Sequence, residues 1–241
     1  MKIVGIIPAR YASTRFPGKP LVEIDGKTMI QRVCEQVAKS NLDDAVVATD
    51  DVRIADCVRS FGGKVVMTDE SHPNGTCRCE EALTQLGVDY NAVVNIQGDE
   101  PFIEPEQINQ IAELLKSGAE IATLVKKIED EITLNDTNKP KVVIGEGGRA
   151  LYFSRQTIPF LRDVPKSDWL KTTSFYKHIG IYGYQSKVLR ELVKLKPGKL
   201  EDLEKLEQLR WLENGFIIMA TETEFETVGI DTPEDLEKLL K

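Results

Sequence analysis

Three basic side chains follow the first apolar run of the chain. Residues 3–7 (IVGII) are typical of a short buried strand, and the segment after them carries Arg10, Arg15 and Lys19 among small and turn-forming residues. Cations at the carboxyl end of a first strand indicate a site for an anionic ligand. A solvated loop with a few surface charges is the alternative interpretation.

Two aspartates also follow apolar runs. Asp99 comes just after the strand predicted at Ala92–Ile96, in the segment QGDEP, where a carboxylate would suit a magnesium ion shared with a phosphate. The alternative interpretation of this segment is an acidic turn closed by its Gly and Pro residues. Asp231 precedes Thr-Pro and a predicted helix, so a helix cap is its alternative role.

Two familiar nucleotide-binding motifs are excluded. The GKT at residues 26–28 would need a glycine at position 21 to form a P-loop, and the chain has Leu21 there. The first strand is followed by PARYAS instead of the clustered glycines of a dinucleotide fingerprint. A phosphate site in this chain must therefore use side-chain cations and exposed backbone amides.

Composition limits the class of protein. The 241 residues include 31 basic and 39 acidic side chains, a net charge of −8, which argues against broad binding to nucleic acid or to an anionic membrane. No apolar run approaches the roughly 20 residues that span a bilayer. The chain starts with a strand and no basic-then-apolar leader, so we expect a cytoplasmic protein. The four cysteines show neither disulfide-framework nor zinc spacing.

The first 125 residues alternate apolar strands with amphipathic helices, which predicts an α/β, Rossmann-like, mostly parallel sheet flanked by helices. The predicted strands are Ile3–Ile7, Ala45–Ala48, Lys64–Met67, Ala92–Ile96 and Ile121–Val125, and the two helices with the clearest apolar faces are Thr28–Lys39 and Val52–Phe61.

The alternation of predicted strands and helices ends at about Val142. VVIGEGGRALYFSR predicts two strands joined by a glycine-rich turn, and FYKHIGIYGYQ predicts another strand. We interpret residues 142–190, approximately, as a partly antiparallel insertion in a single domain that spans 1–241. A helix at Glu201–Glu213, a strand at Phe216–Thr221 and a helix at Pro233–Leu240 complete the prediction.

Seven segments together resemble one family, the 3-deoxy-D-manno-octulosonate (Kdo) cytidylyltransferases. They are IIPARYASTRFPGKPL, GTCR, NIQGDEP, ALYFSR, YKHIGIYGY, LEKLEQLR and GIDTPEDLE, which occur in order over essentially the whole chain. The resemblance implies a nucleotide-diphospho-sugar transferase fold. It also implies a reaction in which CTP and Kdo give CMP-Kdo and pyrophosphate, for lipopolysaccharide inner-core synthesis in a Gram-negative cytoplasm.

The resemblance assigns roles to the residues around the nucleotide. Arg10, Arg15 and Lys19 would hold the β- and γ-phosphates, with Arg10 and Lys19 as catalytic cations, and Asp99 and Asp231 would bind Mg²⁺ as the catalytic pair. Cytosine recognition would fall to the backbone near Ala9 and to the segments that hold Gly75, Arg78 and Gln97.

The resemblance also implies a sugar site. It would consist of Arg155, His178, Tyr182, Glu207 and Gln208. Judged from the residues alone, each has a structural alternative: Arg155 could merely follow a strand, and His178 and Tyr182 could pack in the core. Glu207 and Gln208 could lie on a solvated helix face.

One stretch departs from the family pattern. The family usually has an acidic residue before the arginine of the GT-x-R segment and often a serine before the glycine, whereas this chain has Cys77 and Asn74. We expect the uncharged Cys77 to remove a possible ion-pair partner of Arg78 without abolishing activity.

Two alternative functions stay open. The chain could activate a related acid sugar, such as 8-amino-Kdo or the more distantly related sialic acid. It could also be a catalytically silent nucleotide-binding module. The aromatic and β-branched residues of the predicted insertion exceed what a small lobe can bury, which favours a homodimer, as does the resemblance.

Overall fold

The computed structural model describes residues 1–12, 16–226, 229, 230 and 232–239. Its centre is a twisted sheet whose first four strands along the chain are parallel: β1 (Ile3–Ala9), β4 (Asp44–Thr49), β5 (Val65–Met67) and β6 (Ala92–Asn95). A separate hairpin of β2 (Glu23–Ile24) and β3 (Lys27–Thr28) follows the first loop. All five strands predicted in the first 125 residues are confirmed, with ends that differ by one or two residues.

The second half of the chain extends the same sheet. Its strands are β7 (Ile121–Lys127), β8 (Lys141–Ile144), β9 (Ala150–Ser154), β10 (Tyr176–Gln185) and β11 (Ile218–Glu222). The sheet order is β11-β7-β10-β6-β1-β4-β5, with β8 and β9 attached as an antiparallel pair beside β10. The mostly parallel α/β fold with an antiparallel part is therefore confirmed.

Strand β10 is in the middle of the main sheet. It runs antiparallel between β6 and β7, although sequence analysis assigned it to the insertion. Most of the aromatic side chains behind the dimer argument are consequently buried inside the protomer, including Phe153, Phe175 and Tyr184. The prediction that the insertion cannot bury its aromatic side chains, and must cover them in a dimer interface, was therefore wrong for these residues.

Helices cover both faces of the sheet. They are α1 (Met29–Val37), α2 (Val52–Ser60), α3 (Gly75–Gln85), α4 (Pro105–Lys116), α5 (Glu131–Asn135), α6 (Trp169–Thr172), α7 (Ser186–Leu192), α8 (Lys199–Glu204), α9 (Gln208–Glu213) and α10 (Pro233–Leu239). Alternate side chains of β1 enter two different cores, because a parallel strand covered on both sides is apolar on both faces. None of the described helices is long and apolar enough to cross a bilayer.

The single helix predicted at Glu201–Glu213 was wrong. Lys205 adopts a left-handed conformation (φ 52°) that ends α8, and α9 begins three residues later. The Arg155 guanidinium donates to the backbone carbonyls of Glu204 (2.7 Å) and Lys205 (3.4 Å), which satisfies groups that a continuous helix would have paired internally. The leucine spacing survives this break, so periodicity could not reveal it.

Candidate active site

A cleft of about 360 Å³ opens at the carboxyl ends of β1 and β6. This is the edge where ligands bind in open α/β sheets. Four segments far apart in the chain form its walls. The lining residues are Pro8, Ala9, Arg10, Lys19, Pro20, His72, Pro73, Asn74, Gly75, Arg78, Gln97, Gly98 and Asp99. All the described residues that were predicted to bind the nucleotide are among them. Arg15 lies outside the described residues.

Two glycines allow the walls to meet. A Cβ on Gly98 would lie 2.7 Å from the Pro8 carbonyl oxygen, closer than real Cβ atoms approach backbone. A Cβ on Gly75 would lie 3.2 Å from Pro8 Cγ. The end of β1 therefore packs directly against the turn after β6 and the start of α3.

Lys19 and Asp99 form an ion pair across the cleft. The Nζ–Oδ2 distance is 2.6 Å, and the side chains are 13% and 31% exposed. Gly18, in the left-handed region at φ 71°, turns the chain into the short 3-10 helix that begins with Lys19. A predicted phosphate-binding cation and a predicted metal-binding carboxylate thus lie together.

The carboxyl group next to Asp99 has a raised pKa. Glu100 is almost fully buried, and burial, followed by the charge of Asp99, raises its pKa to about 8. At pH 7 the protonated form of Glu100 is therefore favoured.

Asp231 itself lies outside the described residues, but its neighbours bear on its role. The backbone N–H of Ile230 donates to the Asp99 carbonyl at 3.1 Å, which joins the two aspartate segments. The N-cap of α10 is Thr232: its Oγ1 accepts from the Asp235 N–H, and Asp235 Oδ2 accepts from the Thr232 N–H. The capping role that was the alternative for Asp231 is filled by its neighbour.

Arg78 has a partner that sequence analysis missed. Its guanidinium is buried in α3, donates to Asp50 Oδ2 at 2.7 Å and donates to Thr68 Oγ1 at 2.5 Å. Cys77 offers Arg78 no ion pair, and Asp50 supplies one instead. Asp50 directly follows β4 at the same sheet edge, and this position after a strand was the available signal.

Gln97 connects the cleft to strand β10. Its side-chain Nε2 donates to the Gly180 carbonyl at 3.1 Å. Gly180 lies in a bulge of β10, where the register against β7 shifts between Ile179 and Tyr182. The amide of Gln97 is thus oriented by the strand that carries the predicted sugar residues.

His178 and Tyr182 flank this bulge, with ring centroids 5.2 Å apart. Thr123 Oγ1 donates to the Ile181 carbonyl at 2.8 Å and lies 2.9 Å from His178 Nε2. Because the hydroxyl has one proton to donate, it accepts from Nε2–H, which assigns the tautomer of His178. Burial lowers the pKa of His178 to about 3, so the ring is neutral at pH 7.

Glu207 and Gln208 begin α9 beside the start of α3. Glu207 Oε1 accepts from Asn74 Nδ2 at 2.8 Å, and Oε2 accepts from Thr76 Oγ1 at 3.1 Å. Burial raises the pKa of Glu207, and the hydrogen bond from Thr76 opposes this shift. The solvated helix face that was their alternative is excluded, since Gln208 is buried.

Arg155 is placed differently from the other predicted sugar residues. Its guanidinium donates to three backbone carbonyls, those of Thr137, Glu204 and Lys205. It therefore supports the break before α9, and its contact with a sugar stays a prediction.

Comparison with known proteins gives the family. Residues 4–228 match the cytidylyltransferase family. The 3-deoxy-manno-octulosonate cytidylyltransferases of Cytophaga hutchinsonii and Bacteroides thetaiotaomicron are each 56% identical to the chain, over 98% of it and 95% and 96% of their own lengths. The 8-amino-3,8-dideoxy-manno-octulosonate cytidylyltransferase of Shewanella pealeana is 50% identical, over 98% of the chain and 96% of its own.

A solved structure agrees. A CMP:2-keto-3-deoxy-manno-octonic acid synthetase complexed with CTP matches with a TM-score of 0.92 at 38% identity, over 100% of this chain and 97% of its own. The resemblance inferred from the seven segments is confirmed. The chain belongs to the cytidylyltransferase family and is an enzyme of the nucleotidyltransferase class.

Proposed function

We propose that this enzyme transfers CMP from CTP to the anomeric hydroxyl of Kdo and releases pyrophosphate. The observation that carries the proposal is the single cleft at which four separate segments bring together Arg10, Lys19, Arg78 and Asp99. Relatives named for this activity are more than half identical to the chain over nearly its full length.

The chemistry asks for alignment and charge neutralisation. The sugar hydroxyl attacks the α-phosphorus, and pyrophosphate leaves in line, which requires little covalent help from the protein. Arg10, Arg15 and Lys19 are our candidates for holding the β- and γ-phosphates. Ala9, Gly75, Arg78 and Gln97 are the candidates for holding the nucleoside, since all four line the described cleft.

Magnesium fits this cleft. Mg²⁺ is commonly held by one or two carboxylates together with substrate phosphates and water. Asp99 presents a carboxyl group on the cleft wall, and Asp231 follows Ile230, whose backbone N–H donates to the Asp99 carbonyl. We assign these two residues to the ion, which would supply neutralisation of the triphosphate and activation of the sugar hydroxyl.

The sugar would lie between β10 and α9, against His178, Tyr182, Glu207 and Gln208, with Arg155 as the candidate partner of its carboxylate. Several buried polar atoms here have no hydrogen-bond partner among the described residues, and the hydroxyls of a sugar are our candidate partners for them. These atoms are Asn95 Oδ1, Tyr182 Oη, Tyr184 Oη, Gln208 Nε2 and Trp211 Nε1.

Release of pyrophosphate from CTP tests the proposal. The assay uses Kdo, 8-amino-Kdo and a sialic acid as separate acceptors, with magnesium present. The highest kcat/KM with Kdo would support the proposal. A higher kcat/KM with 8-amino-Kdo, the sugar for which one of the relatives is named, would make 8-amino-Kdo the acceptor instead. No release with any acceptor, despite binding of CTP, would identify a silent nucleotide-binding module.

We also propose a homodimer in the cytoplasm of a Gram-negative bacterium, as the family resemblance implies. Two large apolar side chains of the predicted insertion stay exposed, Leu151 at 53% and Phe160 at 74%, and are the candidates for the interface. Sedimentation should give about twice the chain mass. A fully active monomer would contradict the dimer.

A further inference from the structure

Asn74 joins the wall of the nucleotide cleft to the start of α9. Its Nδ2 donates to Glu207 Oε1 at 2.8 Å, while its Oδ1 accepts from the backbone N–H of Cys77 at 2.9 Å. An amide side chain offers a donor and an acceptor in one rigid plane. The same group therefore caps α3 and holds Glu207.

The carboxylate of Glu207 is held on both oxygens from α3. Thr76 Oγ1 donates to the second oxygen at 3.1 Å. The side chain of Glu207 makes no cap hydrogen bond to its own helix. The orientation of this carboxylate is consequently determined by a helix that belongs to the nucleotide side of the site.

Both departures from the family pattern lie near this carboxylate. Asn74 donates to it, and the backbone N–H of Cys77 donates to the same Asn74 side chain. The pKa of the Cys77 thiol is raised first by burial and then by the charge of Glu207. An acidic residue at position 77 would bring a second negative charge to this point. The chain instead has a neutral thiol there, and an amide in place of serine at position 74.

We propose that Asn74 is a positioning residue, which orients Glu207 for the acceptor sugar and links the nucleotide cleft to the sugar site. This inference rests on the proposed function. Asn74 lines the cleft, so a nucleotide that fixes the segment before α3 also fixes the donor to Glu207. Binding of CTP should therefore strengthen binding of the sugar.

The first test is Asn74→Ser. Serine is an equally good N-cap, so α3 stays capped, but its hydroxyl is too short to reach Glu207 while it caps. Loss of a hydrogen bond to a charged group predicts a rise of about tenfold in the KM for Kdo. The KM for CTP should rise less than the KM for Kdo, and the melting temperature should fall slightly, because the same hydrogen bond also stabilises the folded protein. Asn41→Ser, at an exposed site on the opposite edge of the sheet, is the matched control.

The second test does not depend on activity. Asn74→Asp keeps the cap and turns the donor into a carboxylate that faces Glu207, so it should lower the melting temperature. In the Glu207→Gln background this loss should disappear, because the repulsion is gone. The cycle decides whether Asn74 holds Glu207 even if the wild type shows no activity with Kdo, which would contradict only the proposed function.

Two results would overturn the inference. One is a double-mutant cycle without coupling between positions 74 and 207. The other is an active Asn74→Ser enzyme in which the KM for Kdo is unchanged, or in which both KM values rise equally.

Discussion

The ion pair between Arg78 and Asp50 offers a direct test of how the cleft is held together. Substituting Asp50→Asn keeps the shape of the side chain and one acceptor oxygen but removes its charge. Arg78 is then a buried cation that keeps hydrogen bonds to Thr68 and to the amide oxygen at position 50 but has lost its ion-pair partner Asp50. The guanidinium is 4% exposed, so water cannot replace the lost charge.

The expected loss of stability in Asp50→Asn follows from how deeply the ion pair is buried. Removing one partner of a fully buried pair costs about 3–5 kcal/mol. Asp50 is 14% exposed, and asparagine keeps one hydrogen bond, so we expect a loss of about 2 kcal/mol in the free energy of unfolding. For a chain of this size that corresponds to a melting temperature lower by about 4–8 °C. Because Arg78 lines the cleft, the KM for CTP should also rise.

A matched pair elsewhere is the control. Asp56 pairs with Arg59 at 2.9 Å, but these side chains are 67% and 54% exposed. Asp56→Asn should cost less than about 0.5 kcal/mol, because solvent screens an exposed pair. Denaturant unfolding and the KM for CTP are measured for both variants. Equal stability losses, or an unchanged KM in Asp50→Asn, would refute the view that Asp50 secures Arg78 in the cleft.

Three other predictions concern the proposed ligands. Arg15→Ala should weaken use of CTP strongly with almost no change in melting temperature; an unfolded variant whose folded fraction has normal kinetics would make the residue structural. Asp99→Asn and Asp231→Asn should each fold but release almost no pyrophosphate, with partial rescue by high magnesium or manganese; near-normal turnover of Asp231→Asn in ordinary magnesium would exclude a two-carboxylate mechanism. Burial lowers the pKa of His178 from 6.5 to about 3, so protonation favours the unfolded chain below pH 6.5. The wild type should therefore lose up to about 1.4 kcal/mol of stability per pH unit below 6.5 relative to His178→Gln, measured by denaturant unfolding at several pH values; identical pH dependence would contradict a buried neutral imidazole.

Local patterns were enough for much of the fold. Short continuous apolar runs predicted β1, β4, β5, β6 and β7 within one or two residues. The parallel order of these strands also predicted the edge where Ala9 and Asp99 meet. Such features depend on neighbours in the chain, and their signal is therefore in the sequence itself.

Tertiary contacts decided what the local patterns could not. β10 has the composition of any buried strand, and its place between β6 and β7 depends on pairing partners that lie 49 to 93 positions away in the chain. The break at Lys205 leaves the leucine period intact, and it is stabilised by Arg155, which follows β9 and lies 50 positions earlier in the chain.

The same holds for the groups that orient the site. Thr123 assigns the tautomer of His178, Asp50 pairs with Arg78, and Asn74 reaches Glu207 across 133 positions of the chain. The amino-acid sequence determined which chemical groups the enzyme has and which sheet edge presents them. Only the tertiary structure decided which of them are paired, buried or neutral, because hydrogen bonds and desolvation depend on distances in space that chain spacing does not encode.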